Sequence, residues 1–234
     1  MRFRFQYRET VLTIVCDDGF RDVAEDAAFR ARGIIESKIS EDPFFGITYD
    51  PYAPCDGDHE LISMMCSASV ASCVGPMAGV AGAVAFHIAS ELRRKGSSMA
   101  VVENGGDIAL YSEDPVPVGI FADHPVLRDM AFLMGSDDIT GVCSSSRTVG
   151  PSVSLGMSSI STVFSDDVVL ADCCATRLGN LVSDEDRLQD AVESIGSIPG
   201  VKGCLSCCGN KVAMFGDIPE IVSADCDSAI QRIE

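Results

Sequence analysis

The sequence predicts a mixed α/β (α+β) domain in which strands and helices alternate along one chain of 234 residues. Three observations carry that expectation. Short runs alternate apolar and polar residues with the period of a half-buried strand. Between them lie runs with apolar residues at helical spacing, several with start and stop signals. Hydrophobic residues make up 47% of the chain, enough for a substantial core, and no repeat, low-complexity linker or clear domain boundary interrupts it. The length fits one large domain or two small ones. We read it as a single domain, 1–234, whose two closely packed halves meet near residue 96.

The elements follow in order. Arg2–Tyr7 and Val11–Cys16 alternate as a pair of strands, and Asp17-Asp18-Gly19 makes a turn. Asp22 with Glu25 three residues on resembles a capping box, and Val23, Ala27, Ala31 and Ile34 carry a helix to about Ser40. Residues 42–57, with three prolines, are irregular apart from a short strand near Phe44–Ile47. Leu61–Val74 is helical. A second helix starts near Pro76, which suits a first-turn position, and ends at Arg93-Arg94-Lys95-Gly96, a basic last turn followed by glycine. Met99–Glu103 and Ile108–Tyr111 flank the tight turn Asn104-Gly105-Gly106-Asp107. Strands are also expected over Val116–Phe121, Ile139–Cys143 and Ser158–Phe164. Ser165 then caps a helix to about Leu181, Ser183 caps a shorter one to Ser194, and Lys202–Leu205 with Lys211–Phe215 form a terminal hairpin.

Charge narrows the function. The formal net charge is −18, so a nucleic-acid surface, which needs clustered Lys and Arg, is excluded, and an anionic membrane is disfavoured for the same reason. A small phosphorylated molecule remains compatible, because backbone N–H groups hold phosphate without basic side chains. The stretch between Glu60 and Glu91 is uncharged apart from His87 and is long enough to span a membrane. Its serines, glycines and Pro76 dilute the apolar character, and it is read as a buried helix pair broken near Gly75-Pro76. The first residues alternate like a strand and do not resemble a signal peptide, so a cytoplasmic location with reduced thiols is expected for the 11 cysteines. Self-association or a protein partner is left open.

Four constellations can carry chemistry. Gly75, Gly79 and Gly82 open a helix, where free N–H groups and the dipole favour an anion; close packing against another helix is the competing reading. In Glu103-Asn104-Gly105-Gly106-Asp107 a hydrophobic strand delivers two carboxylates and an amide into a turn. Glu103 and Asp107 are candidate catalytic groups, and Asn104, Gly105 and Gly106 candidate nucleotide contacts. Asp172 and Thr176 stand one helical turn apart in apolar surroundings, and their oxygens suit Mg²⁺ better than Zn²⁺. Ser144-Ser145-Ser146-Arg147 offers hydroxyls and a guanidinium, with Ser145 and Arg147 as candidate phosphate contacts. Cys204-x-x-Cys207-Cys208 could in principle take zinc, an iron–sulfur centre or a redox role, but it lacks a second spaced pair; buried small hydrophobes are the simpler reading.

The run VGPMAGVAG, then VVENGGDIAL, GVCSSSRTVG and TVFSDDVVLADCCATRLGN, resembles the ApbE-like superfamily over nearly the whole chain, and within it an archaeal and bacterial branch separate from the characterised transferases. The resemblance implies antiparallel sheets with packed helices. It further implies a flavin or nucleotide ligand such as FAD or FMN, and Mg²⁺ held by Asp172 and Thr176, with Gly105, Gly106 and Asp107 at the nucleotide. Characterised members bind FAD with Mg²⁺ and move FMN onto a Thr or Ser hydroxyl of a target protein, releasing AMP. They carry a Lys in the glycine-rich helix start, where this chain has GVAGAVA, and a His–Asp pair before a Pro, where TVGPSVSLG has Pro151 and neither residue. The resemblance thus implies the metal and nucleotide elements without the usual base for transfer to protein.

Overall fold

The structure is a computed structural model that describes residues 1–120, 124, 127–146 and 156–224. Among the described residues nine strands form one sheet: β1 Arg2–Tyr7, β2 Thr10–Cys16, β3 Ala100–Asn104, β4 Asp107–Gly119, β5 Met130–Ser145, β6 Ile160–Ser165, β7 Val201–Cys208, β8 Lys211–Gly216 and β9 Ile221–Ser223. The first eight lie side by side in chain order, every neighbouring pair antiparallel, and β9 pairs with the outer part of β5. Residue 96 falls between the third helix and β3, and the sheet continues across that point because β2 pairs with β3.

Five helices cover one face: α1 Arg21–Glu41, α2 Glu60–Ser72, α3 Val80–Arg94, α4 Val168–Leu181 and α5 Leu188–Gly196. Strand alternation sorts the side chains between two cores. Leu12, Ile14, Val102, Ala109, Cys143, Val163 and Cys204 face the helices and meet Ala27, Ala31, Ile88 and Leu178. Val101, Ile108, Leu110, Val142, Phe164 and Leu205 face the other way, where Val118, Ile120 and Phe132 join them. There the rings of Phe132 and Phe164 meet edge to face at 4.8 Å.

The expected break between α2 and α3 is present. Cys73 ends α2 in the left-handed region at φ 57°, a 3₁₀ turn over Pro76–Gly79 follows, and the two helical segments are bent by 112°. Among the described residues no single helix is long and apolar enough to cross a membrane. The glycines of this corner are required by close approach. A Cβ on Gly75 would stand 2.0 Å from the Thr48 carbonyl oxygen. One on Gly79 would lie 2.8 Å from Cys173 Sγ, and one on Gly82 2.9 Å from both Asp172 Cβ and the Val168 carbonyl oxygen.

Several expectations are corrected. Phe44–Ile47 is a turn, its N–H groups bonded back to Asp42, Pro43 and Phe44. Residues 108–111 and 116–119 of the two expected strands belong to one continuous β4, Phe121 lies outside the described residues, and Ile139–Cys143 is part of a long β5. In their outer halves β4 and β5 expose polar residues and the ladder shifts register near Ser112, so alternation lapses while pairing continues. At α1 the cap is Phe20, with no side-chain bond, and Asp22 sits inside the first turn. Asp167 caps α4 through the N–H groups of Val169 and Leu170, while Ser165 Oγ accepts the Asp167 N–H. Asp184, one residue past Ser183, caps the 3₁₀ turn that leads into α5.

Gly79→Ala is expected to lower stability by about 1–3 kcal/mol through overpacking against Cys173 and Val169. Gly33→Ala, in the middle of α1 with nothing within 4 Å of an added Cβ, should raise it by about 0.4–1 kcal/mol. Urea unfolding midpoints of the two variants, moving in opposite directions, check both.

Candidate functional site

A carboxylate pair lies where α3, α4 and the β3–β4 hairpin meet. The hairpin turns through Gly105 and Gly106, both at positive φ (67° and 106°), and pairs Asn104 with Asp107. Two glycines supply the conformation that a two-residue turn of this hand needs. Its parity places Asn104 and Asp107 on the helix side and Glu103, paired with Ile108, on the opposite side.

Asp172 comes down from α4 to meet Asp107. Its Oδ2 accepts the Gly82 N–H at 2.7 Å, and it also draws a bond from the Ala81 N–H. These are first-turn amides of α3, without intrahelical partners and at the positive end of the dipole. The anion that the glycine-rich helix start attracts is therefore the chain's own Asp172. Asn104 ties the hairpin to the same turn, its Nδ2 donating to the Ala81 carbonyl oxygen at 3.1 Å.

Asp107 pairs in register with Cys143 of β5. Its carboxyl receives bonds from the Cys143 thiol and the Ser144 N–H, while Oδ1 is buried with no hydrogen-bond partner. Among the described residues neither carboxylate has an ion pair. Burial, with the Asp172 charge added to it, pushes the Asp107 carboxyl well above the usual range. Burial raises Asp172 to about 7, against the pull of the Gly82 and Ala81 amides and of a hydrogen bond from Asp107. The shared proton therefore rests on Asp107.

The other candidates are placed as follows. Glu103 is buried, and its carboxylate serves its own turn, accepting the Gly106 N–H at 3.1 Å and bonding the Thr13 hydroxyl; burial raises it. It sits across the sheet from the Asp107–Asp172 pair. Gly75 packs on Thr48, away from the pair, while Gly79 and Gly82 face α4. Thr176 is half-buried on α4, one turn beyond Asp172. Ser145 is buried on the helix side of β5, in register with Ser161, two residues past Cys143. Arg147 and Pro151 lie outside the described residues.

Cys204, Cys207 and Cys208 do not assemble as metal ligands. On β7, Cys204 and Cys208 face the helices and Cys207 faces the other core. Their thiols reach separate carbonyls, Val192, Ile160 and Met157, and burial raises all three, Cys204 to about 12 and Cys207 to about 11. Among the described residues no group of three or more His, Cys, Asp and Glu side chains gathers as a metal cluster. Cys143, and Asp172 as the anion met by the helix-start amides, are the contacts that sequence reasoning missed. The β4–β5 register that puts Cys143 opposite Asp107 follows from pairing across a long polar arm, which leaves no local signal.

The pair gives a pH dependence of defined sign. Both carboxyls hold protons more tightly folded than unfolded, so stability is full below about pH 4 and is lost as pH rises, for Asp172 through about 7. Without added cation, stability should fall across that window by a few kcal/mol, because each tenfold difference in proton affinity between the two states is about 1.4 kcal/mol. Asp107→Asn should flatten the fall. Urea titrations at a series of pH values measure it, and equal slopes in the two proteins would refute the assignment.

Comparison with known proteins agrees with this architecture. The family profile described as "AbpE bacteria" matches residues 1–194. A UPF0280 protein of Methanocella arvoryzae is 41% identical over 226 residues, 96% of this chain and 92% of its own. The apbe protein of Thermotoga maritima superposes with a TM-score of 0.66 at 12% identity, covering 91% of this chain and 96% of that one. The flavinyl transferase ApbE of Pseudomonas stutzeri gives 0.62 at 13% identity, covering 92% and 93%. The fold is thus ApbE-like, and the chain belongs to the AbpE bacteria family together with its UPF0280 relatives.

Proposed function

We propose that this chain is a Mg²⁺-dependent enzyme acting on the phosphates of FAD, FMN or another nucleotide, with Asp107 and Asp172 at its centre. The observation that carries the reading is the buried carboxylate pair that, among the described residues, no ion pair neutralises and one of whose oxygens, Asp107 Oδ1, has no partner there. Such a pair needs a proton or a cation. Oxygen donors suit a hard dication, and Asp172, Asp107 and the Thr176 hydroxyl are the side chains that fit it. When bound there, Mg²⁺ would neutralise diphosphate charge.

The chain's own groups do the rest. The α3 amides hold Asp172 in one orientation. Asn104 positions that helix start through one amide N–H to Ala81, and its remaining amide N–H and Oδ1 are the groups offered to a nucleotide. Glu103 braces the turn, and Asp107, whose carboxyl is the more strongly raised of the pair, is the group that holds a proton at the centre. Gly105 has nothing within 4 Å of an added Cβ, so phosphate oxygens have room to approach the turn. Ser145 supplies a hydroxyl on the same side of β5 as Cys143.

Transfer of FMN to a protein hydroxyl is not part of the proposal. The stretch aligned with the transferases' Lys is packed against α4, with 2.9 Å between a Cβ on Gly82 and Asp172, and neither a His nor an Asp accompanies Pro151. The same observation favours a second reading, a non-catalytic flavin or nucleotide carrier.

Incubation with FAD and Mg²⁺, followed by mass spectrometry, separates the two. Turnover predicts AMP and FMN release that EDTA abolishes and that Asp107→Asn and Asp172→Asn each reduce at least about 100-fold. FAD that stays bound and intact establishes the carrier. Neither binding nor release of any flavin or nucleotide would defeat both readings.

A further inference from the structure

A second cleft lies on the other side of α3, between it and α1, closed at one end by the start of α2. Its volume is about 490 Å³, within the range of small-molecule sites. Arg30, Gly33 and Ser37 recur along one stripe of α1, and His87 and Glu91 stand one turn apart on α3. His59, the cap of α2, completes the wall. The carboxylate pair lies against the Gly79–Gly82 side of α3, which faces α4, and none of its side chains lines this cleft.

The polar groups of this cleft are oriented and underused. His59 Nδ1 accepts the Leu61 N–H at 3.1 Å, which makes Nε2 the protonated nitrogen and a donor. His87 Nε2 is buried without a hydrogen-bond partner, a deficit that native structures seldom leave unexplained. Glu91 is gripped through both oxygens by Arg94, at 2.9 and 2.8 Å. Arg30 approaches it through Nη2 alone, at 3.3 Å, which leaves most of its five N–H donors unused. Two guanidinium groups against one carboxylate leave a local surplus of one positive charge on a chain of net charge −18. At Gly33 an added Cβ would meet nothing within 4 Å, so the α1 wall is recessed there.

We propose that this cleft is a ligand site for a small carboxylate- or phosphate-bearing molecule. The Arg30 guanidinium and the His59 Nε2–H bind its anionic head, Ser37 supplies a further polar contact, His87 lines the wall, and its body lies in the recess at Gly33. The assignment is independent of the chemistry at Asp107 and Asp172.

The chain has three histidines, His59, His87 and His124, so imidazole C–H resonances report the site directly. The protein is titrated at constant pH and ionic strength with inorganic phosphate in one series and citrate in another. Saturable shifts of His59 and His87, with His124 unmoved and a dissociation constant of about 1 mM or below, are expected from at least one probe; which one identifies the head group. Arg30→Ala should weaken binding at least about tenfold. Gly33→Leu, at an open helix position that tolerates a side chain, should abolish it by filling the recess while Arg30 stays in place. Absence of saturable shifts from both probes, parallel movement of all three histidines, or undiminished binding in both variants would overturn the site.

Discussion

The hydrogen bond from the Gly82 N–H to Asp172 Oδ2 is the constraint on which the rest of the centre depends. A carboxylate buried midway along a helix is costly unless something answers its charge. Here the first turn of α3 answers it with amides that have no other use. That arrangement demands that α3 begin against α4, and it can do so only because residues 79 and 82 lack side chains. The broken corner at Cys73–Gly79 then follows, since a continuous helix from α2 would bury those amides in its own ladder. The β3–β4 hairpin is joined to the same turn by Asn104, so three distant stretches of chain meet through bonds at Ala81, Gly82 and Asp172.

Much of this is legible in the sequence, and the failures are instructive. β1, α1, the corner at Gly75-Pro76 and the β7–β8 hairpin follow from periodicity and caps because each is a local signal. The middle of the β4–β5 ladder, near residues 112–115 and 135–139, is exposed and shifts register, so the continuity of the two strands has no signature in alternation. β9 is three residues long and exists by pairing with β5. Glu103 and Asp107 are close in sequence and invite grouping, yet a two-residue turn assigns residues 104 and 107 to one face and 103 and 108 to the other. The candidate anion site at the glycines is half legible: the helix start does attract an anion, but one supplied ninety positions away. No local window can reveal that partner.

The comparisons set a useful scale for what fold similarity carries. Relatives near 40% identity span almost the whole chain, while solved ApbE structures share the architecture at 12–13% identity. Over such distance the sheet and helix layer persist because binary pattern and layer packing tolerate wide substitution. Chemistry is less forgiving, since it rests on a few groups at fixed positions. In this chain those groups are the carboxylates at 107 and 172 and the helix start that orients one of them. At that helix start Gly82 packs directly against the neighbouring helix.

The stability of this centre turns on a single imbalance. Two carboxyls share a dry space, and only one is served by helix amides. A proton on Asp107 relieves the repulsion and donates to Asp172. It stabilises the folded chain because the folded state holds it more tightly than the unfolded one does. A centre built in this way is least stable when deprotonated. The tight packing at Gly79 and Gly82 supplies the rigidity that lets the fold carry that deficit.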